Sequence, residues 1–206
     1  MGLGEDIRLT LDDVGYDFTI LRDSGNVVGE HLITKSNSQT TKPFIREFFL
    51  DAMFEDLTQV NAGDIVQIDV TKLVYLVVNK TPYVFENEII KWDGVLYKCN
   101  VSGELFRPSG ENSYDSQTYQ VSPVWETIKA NCYALQTESL FGNDLEENQA
   151  LGQFGIKAHE LFLPGTVDIQ VLDRYQPVSG EYYKVETLAK RRFNNVVVAT
   201  LSEDTR

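Results

Sequence analysis

Apolar and polar residues alternate along most of the chain in short runs, the period-2 pattern of strands with one buried face. Asp17 to Arg22 reads as a strand. The turn Asp23-Ser24-Gly25-Asn26 follows, and Val27 to Thr34 continues extended, so the first predicted element is a hairpin. Pro43 to Phe54 is strongly apolar, and Ile65 to Val70 and Leu73 to Val78 alternate. Glu88 to Cys99 carries the most distinct local signal, an Asp93-Gly94 pair flanked by strand formers. It predicts a two-residue hairpin with both central residues at positive φ. Val124 to Leu135 fits a helical stripe and a strand face equally well; the repeat described next favours the strand. Asp168 to Leu172, Tyr182 to Thr187 and Val196 to Leu201 complete about a dozen short strands. The tail Ser202 to Arg206 is charged and expected to be exposed.

The two halves share an order. Arg46-Glu47-Phe48-Phe49-Leu50, Asp64-Ile65-Val66-Gln67-Ile68-Asp69 and Tyr75-Leu76-Val77-Val78 are followed downstream by His159-Glu160-Leu161-Phe162-Leu163, Asp168-Ile169-Gln170-Val171-Leu172-Asp173 and Tyr183-Lys184-Val185-Glu186. The offsets are 113, 104 and 108 residues (Arg46 to His159, Asp64 to Asp168, Tyr75 to Tyr183). This predicts an all-β fold of two small barrel or sandwich modules joined and decorated by long loops. The expected division is 1–106 for the first module, 107–118 for a polar linker and 119–206 for the second. Further loops are expected at 35–42 and 139–153.

Composition narrows the function. With 206 residues, 42% apolar, the chain is large enough for two packed cores. Asp and Glu number 31 against 18 Lys and Arg, a net charge of −13, which argues against general nucleic-acid affinity and against docking on anionic membranes. Met1 to Asp6 lacks the basic and apolar regions of a signal peptide. No apolar run reaches the roughly 18 residues of a membrane helix. Cys99 and Cys132, in apolar strand contexts, read as buried thiols without a disulfide.

Candidate chemistry is sparse. Nucleophilic catalysis needs a base beside the nucleophile, and the two histidines, His31 and His159, lie in strand-like surroundings with no serine-elbow sequence. His159 takes the place of Arg46 in the repeat, which suggests a solvent-side or interface position. No spacing suits zinc, and the acidic loop Asp144, Glu146, Glu147 lacks the ligand alternation and central glycine of a calcium loop. No phosphate-cradling glycine loop is present, so neither a cofactor nor a metal is expected. Lys190-Arg191-Arg192 is the only basic cluster.

The second half resembles the head-closure and head–tail joining proteins of tailed bacteriophages. The resemblance rests on Thr127-Ile128-Lys129-Ala130-Asn131, a long loop, Lys157 to Pro164 ending in an aliphatic-x-Pro strand, Asp168-Ile169-Gln170 and Tyr183-Lys184-Val185. The usual Gly-Asp before the second of these strands stands here as Val167-Asp168, while the first half keeps Gly63-Asp64. The resemblance covers about 80 residues, Thr127 to Arg206, and the family is often about half this length. It implies a non-enzymatic virion protein of the neck: a homomeric ring between a portal-side ring and the tail, passing DNA through its lumen without specific binding and touching no membrane. The contact residues expected are Lys190, Arg191 and Arg192 with Asp144, Glu146 and Glu147. A tail terminator, tube or baseplate module is the nearest alternative, and a carbohydrate-active β-sandwich using two carboxylates a more distant one.

Overall fold

The protein, described here as a computed structural model, is defined over residues 3–35, 47–115, 119–137 and 159–206. The acidic loop Asp144, Glu146, Glu147 and the repeat residue Arg46 lie outside them, as do the expected loops at 139–153 and, beyond Lys35, at 35–42.

The fold is all-β apart from one helix. Two sets of six strands each form a closed barrel. The first contains β1 (Tyr16–Leu21), β2 (Val27–Lys35), β3 (Phe49–Phe54), β4 (Ile65–Ile68), β5 (Val74–Phe85) and β6 (Glu88–Lys98). Their order around the barrel is β1-β2-β3-β6-β5-β4. The second contains β7 (Val101–Asp115), β8 (Gln120–Thr137), β9 (His159–Pro164), β10 (Arg174–Gln176), β11 (Tyr183–Phe193) and β12 (Val196–Glu203), in the order β7-β8-β9-β12-β11-β10. Counted from each barrel's own first strand, the two orders are the same. Cα packing assigns Met1–Cys99, Pro164–Thr166 and Lys190–Val196 to one unit, and Asn100–Leu163, Val167–Ala189 and Val197–Arg206 to the other.

Alternation explains β1, while β9 and most of β12 are buried on both faces. In β1 only Phe18 and Ile20 are fully buried; they meet Leu32, Phe54, Val66 and Leu96 from the other strands. The rings of Phe18 and Phe54 pack edge to face, 5.8 Å between centroids, a geometry aromatic pairs prefer. The second core gathers Leu105, Leu161, Tyr175, Val185, Val197 and Leu201 among others. Burying one such side chain contributes about 1.5–3 kcal/mol.

The helix α1 (Leu3–Val14) was not anticipated. Leu3, Ile7 and Leu11 recur every four residues, and Leu11 is fully buried. Arg8 clamps the helix to the β3–β4 connection by donating to both carboxylate oxygens of Asp56, at 2.9 and 3.0 Å from Nη2.

Four expectations need correction. The segment 107–118 is no linker: residues 107–115 continue β7, paired to β8 as far as Asp115, and the units divide between Cys99 and Asn100. Its polarity is that of a two-stranded arm with water on both faces. Asp93-Gly94 is no turn: β6 runs through it, and the chain reverses at Glu86-Asn87, both at positive φ (46° and 69°). Gly94 has a packing role instead, since a Cβ there would lie 2.7 Å from the Phe54 ring. Asp168 to Leu172 is a connection, not a strand. The tail is exposed at Glu203, Thr205 and Arg206 as expected, but it is tied down at Asp204, which accepts hydrogen bonds from Arg174 Nε at 2.8 Å and Arg206 Nε at 2.9 Å, its side chain almost fully buried. Cys132 is buried as expected, but Cys99 only half so, and neither is in a disulfide.

Candidate functional site

Each barrel contains the same polar clasp. In the first, Arg22 leaves the end of β1 and grips Asp64, the residue just before β4, with Nε donating to Oδ1 at 3.1 Å and Nη2 to Oδ2. The same guanidinium donates to the Gln59 carbonyl at 2.8 Å, and the Asn61 amide donates to Asp64 Oδ2 at 2.8 Å. In the second, Arg107 grips Asp173, just before β10, at 2.9 Å through both Nε and Nη2. Arg107 also donates to the Asp168 carbonyl at 2.7 Å, and the Gln170 amide donates to Asp173 Oδ2 at 2.7 Å. In both barrels the carbonyl gripped lies five residues before the aspartate and the amide three before it. The ladder agrees: Gly63 N to Val77 O and Val77 N to Asp64 O in one, Leu172 N to Val185 O and Val185 N to Asp173 O in the other.

This register revises the repeat. Asp64 corresponds to Asp173 rather than Asp168, and Gly63 to Leu172, so the offset at this strand is 109 residues rather than 104. Leu172 accordingly holds the same left-handed backbone as Gly63, φ 75° against 89°. In β3 and β9, Leu32 faces Phe54 and Leu135 faces Phe162. With Leu32 and Ala134 equivalent across their first strands, Phe54 corresponds to Leu163, an offset of 109 rather than 113. Only the Tyr75–Tyr183 offset of 108 stands as read.

Bidentate, charge-assisted bonds hold these ions strongly. The Arg22 guanidinium is pushed above its ordinary value chiefly by its hydrogen bond to Asp64. Arg107 is pushed higher, first by Asp173 and, after the opposing effect of burial, by Asp168, which adds a third carboxylate contact at 2.9 Å. The clasps fix the loops that enter β4 and β10. They are structural devices, in which the arginine and the aspartate are each held by further bonds to the same loop.

The two histidines differ in their surroundings. His31 Nδ1 lies 3.1 Å from Asp12 and Nε2 3.0 Å from Asp17. His159 is buried, not solvent-side, with its ring edge-on to Tyr183 at 4.8 Å. Among the described residues no group of three or more His, Cys, Asp or Glu is arranged to hold a metal ion. A cleft of about 290 Å³ contains Asp51 and Asp93, but Asp93 is held by Lys91 at 2.9 Å and Lys35 at 3.7 Å.

Two surface features remain. Lys190, Arg191 and Arg192 are all exposed, on the last part of β11 before the Asn194-Asn195 turn. β10 pairs with β11 only at Tyr183 and Lys184. Beyond Val185, no strand among the described residues lies along that edge of β11. The second feature is the arm formed where β5 and β6 run past the barrel. β4 pairs with β5 only over Val74 to Leu76, and β3 with β6 only over Trp92 to Tyr97. The strands continue as a two-stranded ribbon to the Glu86-Asn87 turn, and every residue from Thr81 to Ile89 is exposed. Tyr83, Val84, Phe85 and Ile89 are 42–56% exposed on it. The second barrel has an arm of its own, the outer part of β7–β8, with Tyr114, Tyr119 and Val121 exposed.

No protein-family model matches the chain, and no curated protein matches it. Among solved structures the chain is weakly similar to one titled "Structure of the 2.65 Angstrom P2(1) crystal of K. pneumonia MrkH", with 7% identity over 99% of this chain and 84% of that one and a TM-score of 0.14. A likeness of that degree carries no argument about fold or function. No helix among the described residues is long and apolar enough to cross a membrane.

Proposed function

We propose that the chain is a structural virion protein of the phage neck, forming a homomeric ring that joins the portal side of the head to the tail and channels or retains the genome. The observation that carries this reading is the pair of arms. Each closed barrel has used up its own strand edges, yet each extends a two-stranded ribbon into water with large apolar side chains on it. Open edges and apolar patches of this kind are features proteins otherwise suppress. Ribbons on rigid barrels are suited to reaching neighbours in a repeating assembly. The net charge of −13 suits a channel through which DNA passes without adhering. A role elsewhere in the tail, as terminator, tube or baseplate module, would use the same features.

Electron microscopy of the purified chain, and of particles containing it, tests the reading. Rings stacked between capsid and tail are the expected result. A chain that binds only tail tube would move it along the particle, and a monomer that joins no particle would overturn it.

A further inference from the structure

We infer that the tip of the β5–β6 arm of one copy seats on the loop entering β10 in the next copy, with Phe85 against Val171 and Leu172. The inference rests on the assembly reading above and gives it a specific contact.

The duplication supplies the pattern. The shared strand order makes β5–β6 and β11–β12 equivalent hairpins, and their tips agree in length and in residue type. Glu86-Asn87 comes eleven residues after Tyr75, and Asn194-Asn195 eleven after Tyr183. A phenylalanine precedes each turn, Phe85 in one and Phe193 in the other. The second turn residue is a left-handed asparagine in both, φ 69° at Asn87 and 55° at Asn195.

One of these tips is already seated. Lys190–Val196 and Pro164–Thr166 belong to the same unit as the first barrel. Within that unit the Asn195 carbonyl lies so close to Gly63 that a Cβ there would be 2.2 Å from it. The same carbonyl accepts from Gly165 N at 2.6 Å. Phe193 is half-buried and edge-on to Tyr97, 6.3 Å between ring centroids. Gly63, on the loop entering β4, is buried.

The equivalent tip and the equivalent seat are both uncovered. Phe85 is 49% exposed. In the register set by the clasps, Gln170, Val171 and Leu172 take the places of Asn61, Ala62 and Gly63, and Val171 and Leu172 are 50% and 51% exposed. Since tip and seat are both exposed in one copy, they do not cover each other there. Adjacent apolar side chains on a loop fixed by the Arg107–Asp173 clasp form a prepared docking surface. The Leu172 side chain keeps an incoming turn from approaching as closely as Asn195 approaches Gly63. The contact is accordingly made by side chains, and an aromatic anchor on two aliphatic residues suits it. Each copy thus has one unused tip, on its first barrel, and one unused seat, on its second. A contact whose two sides differ is head-to-tail, and contacts of that type propagate around a ring.

Photocross-linking tests the contact directly, in solution and in particles. Full-length protein carrying p-benzoylphenylalanine in place of Phe85 would be mixed with isotope-labelled protein, irradiated and read by mass spectrometry. The expected products join position 85 of one copy to Gln170, Val171 or Leu172 of another. In parallel, light scattering would follow Phe85→Ser and Leu172→Asn, the second because asparagine tolerates the left-handed backbone at φ 75°. Each should weaken self-association by about tenfold or more. The double variant should lose no more than either alone, the mark of two residues in one contact. Both positions are exposed, and circular dichroism would verify that each variant remains folded. Oligomers that cross-link elsewhere, or in which the two substitutions act independently or not at all, would overturn the arm contact while leaving the ring reading intact. A chain that stays monomeric, uncoupled and absent from particles would overturn both. Cross-links from position 85 only to a different virion protein would assign the arm to that partner and reject the inference.

Discussion

The two barrels solve one topological problem with different side chains, and the differences compensate locally. In the first, Phe18 on β1 is large and Val66 on β4 is small. The positions that correspond in the second are Gly103 and Tyr175. Bulk has moved from one strand to its neighbour, and the Tyr175 ring occupies space a Cβ on Gly103 would need: that atom would lie 2.6 Å from the ring and 2.5 Å from the Gln176 carbonyl. The relocated ring brings a hydroxyl into the core. It is satisfied there, accepting from Gly103 N at 3.2 Å and donating to the Cys132 carbonyl at 3.1 Å. The outer face shows a second exchange. Where the first barrel buries Ile65, the second buries Arg174, stacked on Trp125 at 3.8 Å and bonded to Asp204. What stays constant is the clasp. A duplicated module thus tolerates redistribution of volume and exchange of apolar for ionic packing, provided the loop entering its fourth strand is held.

Each barrel has one tryptophan, Trp92 in the first and Trp125 in the second, so Trp→Phe variants leave a single reporter for either barrel. The largest expected effect comes from breaking the clasps. Asp173 is 2% exposed in its side chain and Asp64 15%. Asp173→Ala removes two of the three carboxylate contacts of Arg107 and the acceptor of the Gln170 amide, and should cost the second barrel about 3 kcal/mol, the lower end for a broken buried pair. Asp64→Ala should cost the first about 1–3 kcal/mol, in the range for an unsatisfied polar partner. Equal losses by denaturant titration would mean that the clasps do not scale with burial.

Next in size are the glycines. Gly103→Ala should destabilise the second barrel by about 1–3 kcal/mol through overpacking. The equivalent positions Gly63 and Leu172 should respond in opposite ways. Gly63→Ala meets the Asn195 carbonyl at 2.2 Å and is strained at φ 89°, so it destabilises. Leu172→Gly removes a left-handed Leu that is 51% exposed, relieving about 1–2 kcal/mol of strain against about 0.5–1 kcal/mol of added chain entropy. The net change is a stabilisation of about 1 kcal/mol or less. A thermal melt that falls for Leu172→Gly would show that the Leu side chain packs usefully.

The smallest effect is in pH dependence. Burial, and next the neighbouring Glu30, push the Glu55 carboxyl above its ordinary value of 4.5, against the pull of Arg8. Between the ordinary and the raised value the folded first barrel binds more protons than the unfolded chain, so it gains stability as pH falls through that window. Asp204 behaves in the reverse sense. Burial alone would raise it, but the hydrogen bonds from Arg206 and Arg174 outweigh burial and hold it far below its ordinary 3.8. Its contribution is present above that value and is lost as pH falls below it. The two tryptophan reporters should diverge on acidification, and Glu55→Gln should flatten the first response. Parallel curves in both barrels would refute this assignment.

Much of this architecture is legible in the chain. β1 and β2 follow from alternation between clear breakers and β12 from a continuous apolar run after Asn194-Asn195, and the order of the repeat is visible. Its register is not, because the loop between the third and fourth strands differs in the two halves and a match on Asp-Ile draws Asp168 into the place of Asp173. Gly94 misleads because a glycine demanded by a ring packed across the sheet looks the same as one demanded by a turn, while the real turn, Glu86-Asn87, contains no glycine. The helix has only Leu3, Ile7 and Leu11 to announce it. The clasps join residues 42 and 66 positions apart. Their trace is an Arg directly after Leu21 and after Phe106, together with an Asp before each fourth strand, and it becomes informative only when the first strands are aligned. The basic run at Lys190–Arg192 is plain in the sequence, but the exposed turn at Glu86-Asn87 depends on knowing where β5 ends.

The arms have a further property that follows from their pleat. Side chains on a ribbon change face at every residue, so adding or removing one residue on each strand would turn Tyr83 and Phe85 to the opposite side and Val84 with its cross-strand partner Ile89 the other way. Length can change without inverting the tip only in steps of two residues per strand, each moving it about 6.6 Å. The arm is therefore a graduated spacer. Its reach is set independently of the barrel that carries it, in whole increments, and a lineage or an engineer could change how far the tip projects without touching the core.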